Sequence, residues 1–417
     1  MHQSVSQAGN SLLNYFSETG PTLLRSAQGI LRHPSISAAI PGKCYGTELW
    51  DWDTLWTARG LFELAARLRD QTLCQKICQH AQGSFYNFFD YQSDEGRLPI
   101  MMNADSSDFF GCLKKENLEI NQAKPVFAQL ALLISNESND VQWLESRFDG
   151  LLRFYDSWIT RYQAPLGLLV WGNDVAVAVD NDPAIFGRPP FSSAGLILNC
   201  LYYNDLLAAA ELAGRLGRVA DRNMLNQRAA DLGACIQKYC WDRRDGFYYA
   251  VDVQCVDRRA ELIPNVPMGM AMSWQCLPLK VQTFAGFMPL WCGLSTDAQA
   301  EILMRRHYLN DASFHATCGV RSLSAEEPMF SLEFSGNPSN WLGPVWSLNN
   351  YVAWKGFQAY GYKREADALA EKTIRLLAGD LAANGTLHEY YHPDSGIPLS
   401  HAGFMDWNLL VLEMLPV

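Results

Sequence analysis

Apolar residues return every three or four positions through stretch after stretch of this chain, and that period limits the folds open to it. In residues 54–69 (TLWTARGLFELAARLR), Leu55, Ala58, Phe62, Ala65 and Leu68 fall on one face, the stripe that an amphipathic helix buries. The same spacing marks 9–32, 71–91, 121–135, 142–163, 192–216, 219–238, 281–293, 296–307, 344–360, 364–383 and 404–415. Roughly twelve helices follow. One short run, GFYYAVDV at 246–253, reads instead as part of a hairpin. Between the helices lie loops rich in Gly, Pro, Asn and Asp at 92–118, 164–190, 240–280, 308–343 and 384–403. Loops longer than about 15 residues usually carry function. No Pro/Ser-rich linker interrupts the 417 residues, which are 48% hydrophobic, enough for a large core. The expectation is a single all-α domain over 1–417, with helices and long loops that suit an α/α toroid.

Charge and motif content exclude several classes of function. The formal net charge is −11, and no basic face offers itself to nucleic acid or to an anionic membrane. No run of about 18 apolar residues suggests a membrane span. The N-terminal MHQSVSQAGNSLLNYFSETG lacks the basic start and apolar core of a secretory signal, so the cytoplasm is the expected compartment. The eleven Cys form no disulfide framework; Cys74 and Cys78 share a helix face without a second zinc-like pair, which favours buried free thiols. No G-x-S-x-G, G-x-x-x-x-G-K-[ST] or H-E-x-x-H occurs among these residues. Neither a metal nor a cofactor is expected, and self-association is left open. Thirteen Trp, seventeen Tyr and twenty Phe supply core packing and also flat rings for the C–H faces of sugars.

Four constellations carry candidate chemistry. TELWDWDTLW (47–56) sets Glu48, Asp51 and Asp53 among Trp50, Trp52 and Trp56 before a helix. Capping by Asp53 or Thr54 explains one acid; the excess fits hydroxyl recognition beside aromatic platforms. WGNDVAVAVDNDPAIFGRPP (171–190) holds Asp174, Asp180 and Asp182, read either as an Asx turn at Pro183 or as a general acid kept protonated by burial and like charge. In GNPSNWLGPVWSLNNY (336–351), Pro344 opens a helix, and Trp341 and Trp346 offer stacking surfaces. GTLHEYYHPDSG (385–396) offers Glu389 between His388 and Tyr390; by spacing alone it is an ordinary loop acid.

In order along the chain, these stretches resemble family 63 glycoside hydrolases, particularly the branch that includes mannosylglycerate and glucosylglycerate hydrolases. WDWDTLW (50–56) resembles that family's W-D-[ST] segment and QAKPVFA (122–128) its Q-x-P-x-x-A segment. VDNDPAIF (179–186) resembles G-M-D-N-S-P, whose Asp is the general acid. NWLGPVW (340–346), HEYYHPDSG (388–396) and FMDW (404–407) resemble Y-W-R-G-P-V-W, E-x-Y-x-P-x-[ST]-G and a late Trp. The resemblance implies an (α/α)6 barrel, a six-hairpin toroid with a cleft at one end, and inverting hydrolysis of a small α-glucoside or α-mannoside.

It assigns Asp180 as general acid and Glu389 as general base, 209 positions apart (389 − 180). Inversion requires about 6.5–9.5 Å between such carboxyls, with Asp180 protonated and Glu389 ionised. Trp50, Trp52, Asp53, Gln122, Trp341, Trp346, Tyr390 and Trp407 are the expected sugar ligands and walls. Leu342 and Ala184 stand where the family often has Arg, and Val179 replaces Met. A basic anchor for an acidic aglycone would then fall to Arg97, Lys114, Lys115 or Arg188. Two other functions fit an α/α barrel: a sugar epimerase or isomerase using His315, His388 or His401, and a non-catalytic carbohydrate-binding protein.

Overall fold

The computed structural model describes residues 4–116, 119–254, 274–333 and 339–416. Among them, twelve α-helices follow in chain order. They are α1 (Val5–Thr19), α2 (Asp51–Leu68), α3 (Gln71–Asp90), α4 (Phe127–Ser138), α5 (Phe148–Tyr162) and α6 (Leu196–Arg215). Then come α7 (Val219–Tyr239), α8 (Met288–Trp291), α9 (Asp297–Ile302), α10 (Ser347–Ala359), α11 (Lys363–Asn384) and α12 (Val411–Met414). Local signals set several ends. Ser4 with Gln7, and Thr296 with Gln299, close capping boxes on α1 and α9. The Asp70 carboxylate accepts from Leu73 N at 2.9 Å to start α3, and Gly385, at φ 67°, ends α11.

The even-numbered helices form an inner ring. α2 packs on α4, α4 on α6, α6 on α8 and α8 on α10; residues 406–414 then pack on both α10 and α2, closing the circle. The odd-numbered helices lie outside. α3 covers α2 and α4, α7 covers α6, α11 covers α10, and α1 rests on α11 and α2. α5 leans through Phe154 on Phe127 and through Tyr155 on Tyr202. Gln299 of α9 donates to Gln237 of α7 at 2.9 Å. This is an (α/α)6 barrel. Burial follows the two layers: inner α10 buries ten of its 13 residues, whereas outer α7 buries five of 21. One continuous apolar cluster runs from Ala8 to Leu415.

Some elements depart from the spacing. The expected helix 9–32 is α1 followed by a 3-10 turn (Gly20–Leu23) and a two-residue strand, because Pro21 lacks a backbone donor. The periodic runs 281–293 and 404–415 become 3-10 turns (Phe284–Phe287, Asp406–Asn408) ahead of the single-turn helices α8 and α12. In 296–307, α9 passes into a π-helical turn (Leu303–Tyr308). Pro344 precedes α10 rather than opening it; Val345 instead bridges Arg321 and Tyr391, and Trp346 is the N-cap residue. The expected hairpin pairs Trp241–Asp242 with Phe247–Tyr248. Val251–Asp252 belongs instead to a three-stranded sheet between Ser193–Ala194 and Leu277–Pro278.

Candidate active site

A cavity of about 70 Å³ opens at the end of the barrel where the inner helices begin. α2 supplies Trp52 and Asp53 from its first turn, with Trp50 just before it. The two-residue pairing of Leu49–Trp50 with Met101–Met102 fixes that entry. Lys124 lines the cavity three residues ahead of α4, Trp341 ahead of α10, and Phe404 and Trp407 from the closing segment. Loop residues Ala176, Ala178 and Asp180 line it with Glu389, and Tyr45 and Ser339 complete the lining.

Of the acids on 171–190, Asp180 faces the cavity, while its neighbours are engaged by the backbone. Asp182 accepts from Ala184 N at 2.8 Å, and Asp174 from Gly187 N at 2.7 Å. Asn121 organises the approach: its amide donates to Asn173 O and Val175 O and accepts from Gly172 N. Ala176 and Ala178 adopt φ of 54° and 78°, a left-handed conformation that non-glycine residues rarely take. Asn181 accepts from Trp341 N at 2.7 Å, joining this loop to the facing wall. Ser339 is hydrogen-bonded to Asp180 and accepts from Trp341 Nε1 at 2.8 Å.

Glu389 is 3% exposed and accepts from Ser400 Oγ at 3.0 Å. Its backbone is held on both sides. Glu389 N donates to His401 O, Trp407 Nε1 donates to Glu389 O at 3.2 Å, and Tyr391 exchanges backbone bonds with Val345. Burial pushes its carboxyl up to about 8, aided by the charges of Asp53 and Asp180 and opposed by the Ser400 hydroxyl. Burial also raises Asp180, but Lys124 and Ser339 oppose it. Burial thus favours the protonated form of Glu389 more than one hydroxyl favours the ionised one.

The structure brings Trp50, Trp52, Asp53, Asp180, Trp341, Glu389 and Trp407 to one cavity. Gln122, Trp346 and Tyr390 do not line it. The Gln122 carbonyl oxygen accepts from Ser157 of α5. Trp346 stacks flat behind Trp341, with centroids 3.9 Å apart, and Tyr390 lies against Trp346; both brace the wall. The proposed basic anchors lie elsewhere too. Arg97 is buried on Ile120 O and Tyr162, Arg188 is paired with Asp252, and Lys114 and Lys115 are exposed.

Sequence reasoning missed Lys124. Its ammonium sits 3.0 Å from Asp51 Oδ1 and 3.2 Å from Ala176 O, while its own N–H donates to Asp51 Oδ2 at 2.6 Å. A lysine between Ala123 and Pro125, in an apolar run, was the available signal, since a buried charge requires a partner. Asp51 meets that requirement, so one of the acids in 47–56 serves a buried ion pair. Tyr45 and Phe404, whose rings meet edge to face 5.8 Å apart, were also missed.

Comparison with known proteins agrees with this architecture. The mannosylglycerate hydrolase MGH1-like glycoside hydrolase domain matches residues 47–405, and the chain belongs to that family, within glycoside hydrolase family 63. Mannosylglycerate hydrolase MGH1 of Selaginella moellendorffii is 26% identical over 224 residues; the match spans 53% of this chain and 38% of that relative. The crystal structure of GH63 mannosylglycerate hydrolase from Thermus thermophilus in complex with glucose is 21% identical. It superposes with a TM-score of 0.68 over 98% of this chain and 99% of that one. The complex of the Thermus enzyme with Tris and D-glycerate gives a TM-score of 0.67 at 18% identity, over the same shares of both chains.

Proposed function

We propose that residues 1–417 form one catalytic domain that hydrolyses a small α-glucoside or α-mannoside, such as a glucosyl- or mannosyl-glycerate, with inversion. The supporting observation is that Asp180 and Glu389 line one cavity with Trp50, Trp52, Trp341 and Trp407. The glucose and D-glycerate complexes of the Thermus enzyme fit a sugar and an acidic aglycone of that kind. Asp180 protonates the departing glycosidic oxygen, and Glu389 removes a proton from the attacking water on the opposite face. Trp52 and Trp341 cover the sugar ring, and Asp53 accepts from its hydroxyls.

The buried pair works with one proton between them, and turnover needs that proton on Asp180. The histidines of an epimerase are placed less well. His388 Nδ1 is held by Asp380 at 2.9 Å, and His315 lies between Asp311 and Lys372. His401 packs edge-on against Tyr45, and among the described residues no histidine lines the cavity.

Leaving-group chemistry separates the two roles. Fluoride departs without protonation, so Asp180→Asn should keep hydrolysis of an α-glycosyl fluoride while losing about 10²–10⁴-fold on the O-glycoside. Glu389→Gln should lose both activities. NMR should show the β-anomer released first from an α-glycoside. The reverse substrate pattern would exchange the two roles, initial α-anomer would overturn inversion, and binding without turnover would leave a carbohydrate-binding protein.

A further inference from the structure

Behind the cavity wall lies a carboxyl group that the mechanism above does not use. Asp406 opens the 3-10 turn of the closing segment and is fully buried. Thr57 Oγ1 of α2 donates to its Oδ1 at 3.0 Å. Its Oδ2 is buried without a hydrogen-bond partner, and the Asp53 carboxyl is its close electrostatic neighbour. Two carboxylates are acceptors only, so a bond between them requires one to be a carboxylic acid.

Placement decides which one. Asp53 lines the cavity together with Lys124, whose charge favours its ionised form, and it is open there to hydroxyl donors. Asp406 has the Thr57 hydroxyl and is otherwise enclosed. The charged and titratable groups acting on the pair are Asp51, Lys124, Glu389 and Tyr45. Burial raises both carboxyls, and Asp53 and Glu389 add to the rise at Asp406.

We propose that Asp406 is a positioning residue that stays protonated and donates to Asp53, fixing Asp53 as a carboxylate aimed at the sugar hydroxyls. Thr57 occupies one Asp406 oxygen, and the other, buried without a partner, carries the proton. The arrangement supplies a donor from behind without adding a second negative charge to the cavity. Its kinetic consequences rest on the hydrolase reading; the location of the proton does not.

An amide is close in shape to a neutral carboxylic acid and donates as it does. Asp406→Ala should therefore lower kcat/KM about 10- to 100-fold, the effect of removing a hydrogen bond to a charged group, and Asp406→Asn should restore most of that loss. Asp53→Asn should lose at least as much as Asp406→Ala while keeping its melting temperature.

Melting temperature measured from pH 5 to 9 reads the proton directly. A carboxyl that holds its proton in the folded chain loses that contribution to stability as pH rises from the unfolded value toward the folded one. The melting temperature of Asp406→Asn should accordingly fall less steeply with pH than that of the unchanged chain. Parallel curves would overturn the proposal, as would an Asp406→Asn variant no better than Asp406→Ala. Retained activity in Asp53→Asn would move the proton to Asp53. If Asp406→Ala does not fold, Asp406→Asn against Asp53→Asn carries the comparison. If no glycoside is turned over by any form, the hydrolase reading fails and the melting curves still place the proton.

Discussion

Under the proposed hydrolysis, Glu389 sets the pH range in which the paired acids work. Burial pushes its carboxyl up to about 8 and also raises Asp180, against the opposing charge of Lys124. At high pH the pair loses its last proton and no acid remains; at low pH both are protonated and no base remains. The free-enzyme profile of kcat/KM should be a bell whose alkaline limb falls near pH 8. Its two limbs belong to the pair, so the shape holds whichever residue is the acid. Stopped assays from pH 4 to 10 check this, and an alkaline limb below pH 6 would contradict the burial of Glu389. Neither shift was legible in the chain itself. HEYY shows an acid beside aromatic residues, but Glu389 is 3% exposed where Ser400 and His401, later in its loop, and Trp407 of the closing segment hold it. The same limit hid Lys124 and favoured Gln122: two residues of one short segment face opposite neighbours, Asp51 and Ser157.

The loop from Gly172 to Asp182 shows how an element selects among similar residues. Three aspartates are visible in its sequence, with an Asx turn at Pro183 as one reading. Asp182 makes that turn by accepting from Ala184 N two residues on, whereas Asp174 accepts from Gly187 N thirteen residues on. Asp180 is different because Ala176 and Ala178 turn the chain through the left-handed region. No glycine marks that turn. What holds it is Asn121, fully buried and about fifty residues earlier, through four hydrogen bonds of 2.7–3.1 Å. Asn121→Ala leaves the Gly172 amide and the Val175 carbonyl without that partner, at about 1–3 kcal/mol for each buried group left unsatisfied. The expected result is a stability loss of about 2–4 kcal/mol by urea unfolding. A fall in kcat beyond tenfold should accompany it in the still-folded enzyme, because Asp180 loses its orientation. Unchanged kcat with reduced stability would show that the Asn181–Trp341 link positions Asp180 alone.

Ring closure is the property of the molecule that the helical period could suggest but not determine. Twelve periodic stretches gave the right number of hairpin arms, yet two inner arms, α8 and α12, are single turns preceded by 3-10 turns. Segments that short are not stable helices by themselves; they persist because they are packed on both sides in the ring. The tightest sign of that packing is Gly60, in the middle of α2. A Cβ built there would lie 2.3 Å from Leu409 Cβ and 3.0 Å from its carbonyl carbon, and Leu409 is fully buried between α2 and α12. In an exposed helix, Gly→Ala would be favourable by about 1 kcal/mol. Here the obstacle is backbone that cannot rotate away, and overpacking of this kind costs about 3 kcal/mol. Gly60→Ala should thus destabilise the chain by about 2 kcal/mol net, measured as a lower urea midpoint. Activity should fall with it, because Trp407, which anchors the Glu389 carbonyl, lies two residues from the displaced Leu409. Stabilisation by Gly60→Ala would mean that the closing segment yields at this seam. The cavity wall it carries would then be held by the loop hydrogen bonds alone.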